Sequence, residues 1–141
     1  MKTWIIAVLS LIAVFFIAGC ESNIEEYLKQ EPVMSQAYED ISPAEVKKRL
    51  GTEKGTILLD VRTSEEYAEK HIPGSILIPV DVLENEAEGK LKDKNATIFV
   101  YCRSGRRSVT ASEILVKLGY KKVYNLGGII DWPYETESGN R

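Results

Sequence analysis

Short apolar runs alternate along this chain with stretches that place apolar residues at helical spacing. Four runs predict β-strands, at residues 56–61, 75–78, 96–101 and 122–124. The runs TILLDV and ATIFVY are almost continuously apolar, which is typical of strands buried on both faces of a parallel sheet. The pattern therefore predicts a sheet whose strands are separated by helices.

The helical stretches lie between these strands, at residues 42–50, 63–70, 81–91 and 108–118. The first begins with a capping box, SPAE, and Gly51 is expected to end it. Thr63 or Ser64 is expected to cap the second. The apolar face of the fourth consists of Val109, Ile114, Leu115 and Leu118. Gly127-Gly128 is expected to open a last short helix that carries Trp132.

Strands that alternate with helices predict an α/β fold, in which a parallel sheet is covered by helices on both faces. Ligands bind such folds beyond the carboxyl ends of the strands. Two strand ends carry residues with useful chemistry, Asp60 and Cys102. We therefore expect the functional site at this edge of the sheet.

The N-terminal segment has a positive start at Lys2, an apolar stretch and small residues before Cys20, which predicts a secretory signal peptide over residues 1–19. Residues 17–20, IAGC, resemble the lipobox of bacterial lipoproteins, which implies cleavage before Cys20 and lipidation of its thiol. The expected protein is extracytoplasmic and lipid-anchored to the bacterial cell membrane or outer membrane. An uncleaved membrane anchor and an ordinary cleaved signal are the alternatives.

The expected organisation is a tether over residues 20–36, one domain over residues 37–135 and a C-terminal tail over residues 136–141. The chain is mildly acidic, with 18 Lys and Arg against 21 Asp and Glu, whereas nucleic-acid binding usually requires a basic surplus. Of its two cysteines, lipidation of Cys20 would leave Cys102 as the single free thiol. One histidine and one available cysteine are too few for a structural zinc site, so we expect no metal.

Cys102 leaves a buried strand and enters a short loop, CRSGRRS, that runs into a helix. The helix N-terminus, the curl permitted by Gly105 and the charges of Arg103, Arg106 and Arg107 all favour a thiolate over a thiol. A lone cysteine is more often a small core residue, and a basic run is more often a solvated helix start. Arginines at a helix N-terminus oppose the helix dipole, however, so stability alone does not explain this cluster.

The loop CRSGRRS resembles the active-site loop of single-domain rhodaneses. The segments DVRTSEEY and HIPGS, then Pro79 and a Gly-Gly pair followed by Trp132, resemble the other signatures of that family in order and spacing. Lys70 and Leu77 depart from the family pattern, in which glycine and asparagine are common at these positions. Both lie outside the reactive loop.

The resemblance implies a single rhodanese-like domain with a parallel five-stranded sheet, and a sulfurtransferase that works as a monomeric domain. Cys102 would take sulfur as a persulfide from a small anionic donor such as thiosulfate and pass it to a thiol or to cyanide. No cofactor is expected besides this covalent sulfur. The expected substrate-binding residues are those of the loop: Arg103, Ser104, Gly105, Arg106, Arg107 and Ser108.

Within this loop, backbone amides from residues 103–107 are expected to face the persulfide. The side chains of Arg103 and Arg107 are expected to contact the oxyanion, while both such a contact and an orientation towards solvent are open for Arg106. Four residues separate Cys102 from Arg107. Related phosphatases of the cell-cycle type have one more, which makes a wider loop for phosphate or arsenate. The shorter loop therefore favours sulfur chemistry.

Three other residues have both a functional and a structural interpretation. Asp60 and Arg62 are candidates for lining the cleft, although the spacing of Arg62 and Glu66 also suggests an ion pair along a helix. His71 could act as a base for Cys102, but it lies on an Ile-Pro-Gly turn and the loop needs no base.

Two functions of other classes remain open from the sequence. The loop could hold an anion or a partner without catalysis, as a binding module at the cell envelope. A thiol-redox protein is the other possibility, but it would have to use an external thiol because the mature chain has no second free cysteine.

Overall fold

The computed structural model describes residues 37–139. The signal peptide, Cys20 and the tether, expected from the sequence, lie outside the described residues. The strands are β1 (Glu39–Asp40), β2 (Ile57–Asp60), β3 (Ile76–Leu77), β4 (Thr97–Cys102) and β5 (Lys122–Gly128). The helices are α1 (Pro43–Thr52), α2 (Ser64–Glu69), α3 (Val80–Lys90) and α4 (Arg106–Lys117), followed by a 3₁₀ turn at Ile129–Asp131.

The five strands form one parallel sheet in the order β1-β5-β4-β2-β3. The most apolar strand, β4, lies at the centre, and successive side chains along it point to opposite faces. Ile98, Val100 and Cys102 join one core cluster, while Phe99 and Tyr101 join the other. The strand that ends in Cys102 is therefore fixed from both sides.

Helices cover both faces of this sheet, as the sequence predicts. The cluster that contains Cys102 is completed by Leu83 and Ala87 of α3 and by Ala111 and Leu115 of α4. The opposite cluster is completed by Val46 of α1 and by residues around the 3₁₀ turn. The predicted five-stranded α/β architecture is confirmed.

Local capping explains where the first two helices begin. The hydroxyl of Ser42 accepts a hydrogen bond from the Glu45 N–H, and Pro43 occupies the first helical position. Thr63, rather than Ser64, caps α2 in a capping box completed by Glu66.

Helix ends differ from the sequence prediction at two places. Helix α1 continues through Gly51 to Thr52, with Glu53 as its C-cap. Helix α4 begins at Arg106, two residues before the expected start, because Gly105 adopts a left-handed conformation and serves as its N-cap.

The buried face of α4 consists of Ser108, Ala111, Ser112 and Leu115. Val109, Ile114 and Leu118, which the sequence assigned to that face, are only partly buried.

The glycine pair opens the short helical turn expected from the sequence and has a second role at the end of β5. Gly127 and Gly128 end β5, which runs four residues past the predicted boundary, and Gly128 is also the N-cap of the 3₁₀ turn at Ile129–Asp131, with Trp132 as its C-cap. Tyr101 and Cys102 pair with these two glycines after a register shift. The extended strand therefore places a backbone without side chains directly beside the reactive loop.

The C-terminal segment is bonded back to the domain past residue 135, where the sequence placed the domain boundary. His71 and Glu137 exchange two backbone hydrogen bonds of 2.8 Å, and the Gly139 N–H donates to the Ala68 carbonyl at 2.8 Å. The sequence predicts a C-terminal tail that begins at residue 136, so these bonds fall within it. Among residues 37–139, no helix has the length and apolar character needed to cross a membrane.

Candidate active site

The Cys102 sulfur lies at the bottom of a cup formed by the loop that joins β4 to α4. The residue is 1% exposed, and the Gly105 N–H donates a hydrogen bond to Sγ at 3.1 Å. Gly105 has a φ of 102°, which is open to glycine and strained for other residues. This turn directs the loop amides inward and leaves the side chains of Arg103 and Ser104 exposed.

Two opposing effects set the ionisation of this sulfur. Burial raises the pKa of the Cys102 thiol, because removal from water disfavours the charged form. The backbone N–H groups of Ser108, Gly105 and Ser104 and the Ser108 hydroxyl favour the thiolate and lower the pKa. The balance leaves the pKa of Cys102 below its ordinary value, so the loop favours the thiolate, which is the nucleophilic form.

Hydrogen bonds within the loop, and between the loop and the end of β5 and the 3₁₀ turn after it, fix the conformation of the loop. The Ser108 hydroxyl donates to the Gly105 carbonyl at 2.8 Å and lies 3.3 Å from the Gly127 carbonyl oxygen. The Ile130 N–H donates to the Arg103 carbonyl at 3.3 Å. Ser108, expected from the sequence to bind substrate, is fully buried and its side chain fixes the loop.

Gly128 permits the close approach between the loop and β5. A Cβ atom at this position would lie 2.5 Å from the Arg103 carbonyl oxygen and 2.8 Å from the Ser104 Cα. Both are backbone atoms, so the loop itself would have to move. The sequence shows the glycine pair, but its contact with the loop arises from strand pairing and is invisible in the sequence.

The three loop arginines have different surroundings. Arg103 and Arg106 are exposed, and neither forms an ion pair with an acidic side chain of residues 37–139. Arg107 is partly buried and makes a bidentate ion pair with Glu66, with N···O distances of 2.7 and 2.8 Å. Its guanidinium is engaged by a carboxylate and is not free for the oxyanion contact expected from the sequence. Its charge still attracts the Cys102 thiolate.

Glu66 is a site-supporting residue that the sequence did not reveal. Besides binding Arg107, its carboxylate accepts a hydrogen bond from the Thr63 N–H at 3.1 Å and so caps α2. The hydrogen bonds from Arg107 lower the pKa of Glu66 to about 2. Glu66 therefore joins the start of α2 to the start of α4.

The expected ion pair between Arg62 and Glu66 is wrong. The Arg62 guanidinium binds Asp60, with distances of 2.6 Å from Nη2 to Oδ2 and 2.9 Å from Nε to Oδ1. Its remaining contacts include the Lys70 carbonyl at 2.7 Å. Asp60 and Arg62 are 0% and 4% exposed, so they do not line a cleft. Buried charges need such complete pairing, and this pair fixes the chain after β2.

His71 is also held by structural contacts. Its Nδ1 lies 2.8 Å from the Tyr67 carbonyl oxygen and its Nε2 lies 3.1 Å from Glu137 Oε1, while its ring stacks on Tyr67 with centroids 3.7 Å apart. Both ring nitrogens are therefore engaged away from Cys102. Within residues 37–139, no three His, Cys, Asp or Glu side chains are grouped closely enough to hold a metal ion.

Comparison with known proteins shows what this arrangement is similar to. The model of the family described as "Rhodanese-like domain" matches residues 42–134. Thiosulfate sulfurtransferase PspE of Escherichia coli (strain K12) is 42% identical over 73 residues, which cover 52% of this chain and 70% of that protein. A sulfurtransferase of Allochromatium vinosum is 35% identical over 94 residues, which cover 66% of this chain and 86% of that protein.

A solved structure described as "rhodanese with anions from E. coli" is similar in fold and in sequence. It aligns with a TM-score of 0.57 and 38% sequence identity, covering 60% of this chain and 99% of the other.

We expect Gly128→Ala to displace the loop, because the added Cβ would overlap backbone atoms of Arg103 and Ser104. In a Cys20→Ser background, where Cys102 is the single thiol, the pH midpoint of Cys102 alkylation should rise and the melting temperature should fall. Gly89→Ala is the control: Gly89 lies in α3 with open space around it, so alanine should be neutral or slightly stabilising. An unchanged alkylation midpoint in Gly128→Ala would contradict the role given to Gly128.

We also expect a pH dependence of stability that belongs to Glu66. Its pKa in the folded protein is about 2 and its ordinary value is 4.5, so its stabilisation is complete above pH 4.5 and is lost as the pH falls towards 2. The loss is at most about 3 kcal/mol of unfolding free energy. Denaturant unfolding across this range measures it.

Glu66→Gln keeps a side chain that can cap α2 but removes the charge that binds Arg107, so its unfolding free energy should depend less on pH over this range. Glu69→Gln, which removes an exposed carboxylate of the same helix, should retain the wild-type dependence. Equal acid sensitivity of the wild type and Glu66→Gln would show that the ion pair does not contribute.

Proposed function

This chain belongs to the rhodanese-like domain family and is a sulfurtransferase of that family, and we propose that it carries sulfur as a persulfide on Cys102. The proposed donor is a small anion such as thiosulfate, and the proposed acceptor is a thiol, with cyanide as a substitute in the assay. The observation that supports this most directly is the Gly105 N–H aimed at the Cys102 sulfur, in a loop that lowers the pKa of that thiol.

In the loading step, the Cys102 thiolate attacks the outer sulfur of thiosulfate. A bond forms between Sγ and that sulfur, the S–S bond of the donor breaks, and sulfite leaves with the electron pair. The negative charge moves from Sγ to the outer sulfur of the persulfide. The backbone N–H groups that favour the thiolate are suited to stabilise this anion, because they are fixed before the reaction.

The placement of charge around the cup is consistent with an anionic donor. Arg103 and Arg106 are exposed at the loop, and Arg107 adds its charge from the side. The sulfur itself is almost inaccessible, which restricts direct contact to the end of a small molecule. The similar E. coli rhodanese was solved with anions, which supports the same preference here.

Mass measurement after exposure to thiosulfate tests the persulfide. The purified protein should gain one sulfur atom, and a thiol or cyanide should remove it. Cys102→Ser should gain none, while Cys20→Ser keeps the reactive thiol and should gain sulfur like the wild type. A binding module without catalysis would gain no sulfur in any of the three proteins, and a gain on Cys20 alone would also contradict the proposal.

We also propose that Cys20 is lipidated and anchors the protein, outside the cytoplasm, to the bacterial cell membrane or outer membrane. The support is the sequence of residues 1–20, in which an apolar stretch is followed by IAGC. A lipid anchor would place the sulfurtransferase at the cell envelope and leave Cys102 as the free thiol of the mature chain.

Expression of the full chain in a bacterial host tests the anchor. The wild type should incorporate labelled palmitate and fractionate with membranes, and Cys20→Ser should lose the label. Cys102→Ser is the matched control and should retain both properties. Membrane association of Cys20→Ser without label would indicate an uncleaved anchor, and release of unlabelled wild type would indicate an ordinary signal peptide.

A further inference from the structure

A second concave surface lies between the start of α3 and the first three turns of α4. This groove has a volume of about 420 Å³ and is lined by Val80, Asp81, Arg106, Arg107, Thr110 and Ile114. The volume falls within the range of small-molecule sites. Its lining combines two apolar side chains with an acid, a hydroxyl and two guanidinium groups, so it is suited to a small polar molecule with more than one charge.

Two opposite charges in this groove have no ion-pair partner among residues 37–139. Asp81 and Arg106 pair neither with each other nor with another charged side chain of this part of the chain. Arg107 differs, because Glu66 already binds its guanidinium on both nitrogens. The groove therefore offers one free cation and one free anion, separated by more than the ion-pair distance.

The groove adjoins the elements that hold the sulfur. Arg106 and Arg107 follow directly on the loop that surrounds Cys102. Val80 and Ile114 pack against the core cluster that contains Cys102. A molecule bound in the groove therefore lies beside the start of α4, next to the loop that surrounds Cys102.

We propose that this groove selects the sulfur acceptor, and that the acceptor is a small thiol that carries both a carboxylate and an ammonium group. Arg106 binds the carboxylate, Asp81 binds the ammonium group and the thiol extends to Cys102. This inference rests on the proposed function, since it concerns the discharge of the persulfide. Arg106, whose role the sequence leaves open, thus acts on the acceptor.

The discharge step balances without a further reactant. The acceptor thiol gives its proton to the anionic outer sulfur of the Cys102 persulfide and then attacks that sulfur as a thiolate, so that a new S–S bond forms on the acceptor. The bond between that sulfur and Cys102 Sγ breaks, and Sγ leaves with the electron pair as a thiolate. The proton stays on the transferred sulfur, so the acceptor leaves as a persulfide.

Four small thiols distinguish the contribution of Arg106 from that of Asp81 in an experiment on the full-length protein loaded with sulfur. Cysteine carries both groups, 3-mercaptopropionate the carboxylate alone, cysteamine the ammonium group alone, and 2-mercaptoethanol neither. The measured quantity is kcat/KM for persulfide discharge, divided by the value for 2-mercaptoethanol with the same variant. Comparing variants cancels the intrinsic reactivity of each thiol.

Arg106→Gln should lower this ratio about fivefold to tenfold for cysteine and 3-mercaptopropionate and leave it unchanged for cysteamine, since a hydrogen bond to a charged group is lost. Asp81→Asn should lower it for cysteine and cysteamine and leave 3-mercaptopropionate unchanged. Lys117→Gln is the matched control: it removes one positive charge from an exposed residue of α4 that does not line the groove, so the ratios should stay at the wild-type values.

Each other outcome overturns the inference. Equal effects of Lys117→Gln and Arg106→Gln would show a general basic field instead of a groove contact. Ratios that respond to neither groove variant would leave the groove to a larger, protein-borne acceptor. These failures differ from failure of the proposed function, in which the wild type would gain no sulfur in the first place.

Discussion

The central constraint on this structure is that several backbone N–H groups must point at one sulfur atom that is shielded from water. Burial alone would keep Cys102 protonated, so the loop has to compensate with fixed dipoles. This requires the left-handed turn at Gly105 and a neighbouring strand that can touch the loop. Gly128 supplies that contact, and the Ser108 hydroxyl connects the two segments.

The positive charges near the loop have separate roles because their partners differ. Glu66 immobilises Arg107, which then contributes a steady attraction for the thiolate without competing for ligands. Arg103 and Arg106 stay exposed and can meet incoming molecules. The three loop arginines are alike in the sequence, but in the folded protein one charge is fixed by an ion pair and two are exposed.

Most of the architecture could be predicted because it depends on local pattern. The apolar runs identify β2 and β4, and the Cys102 loop carries enough chemistry to mark the site. The short edge strand β1 has no apolar signature, so only its pairing with β5 reveals it. The partner of Glu66 could not be predicted either, since helical spacing favours Arg62 while the folded chain brings in Arg107, which is 41 residues away.

The bridge between His71 and Glu137 matters for anyone who trims this protein to a minimal fragment. The family match ends at residue 134, so a fragment cut at that boundary would lose both backbone hydrogen bonds and the carboxylate beside the histidine. The exposed N–H and C=O of His71 would then form a short open edge. Such an edge invites pairing with a second molecule, so a truncated form would be prone to self-association.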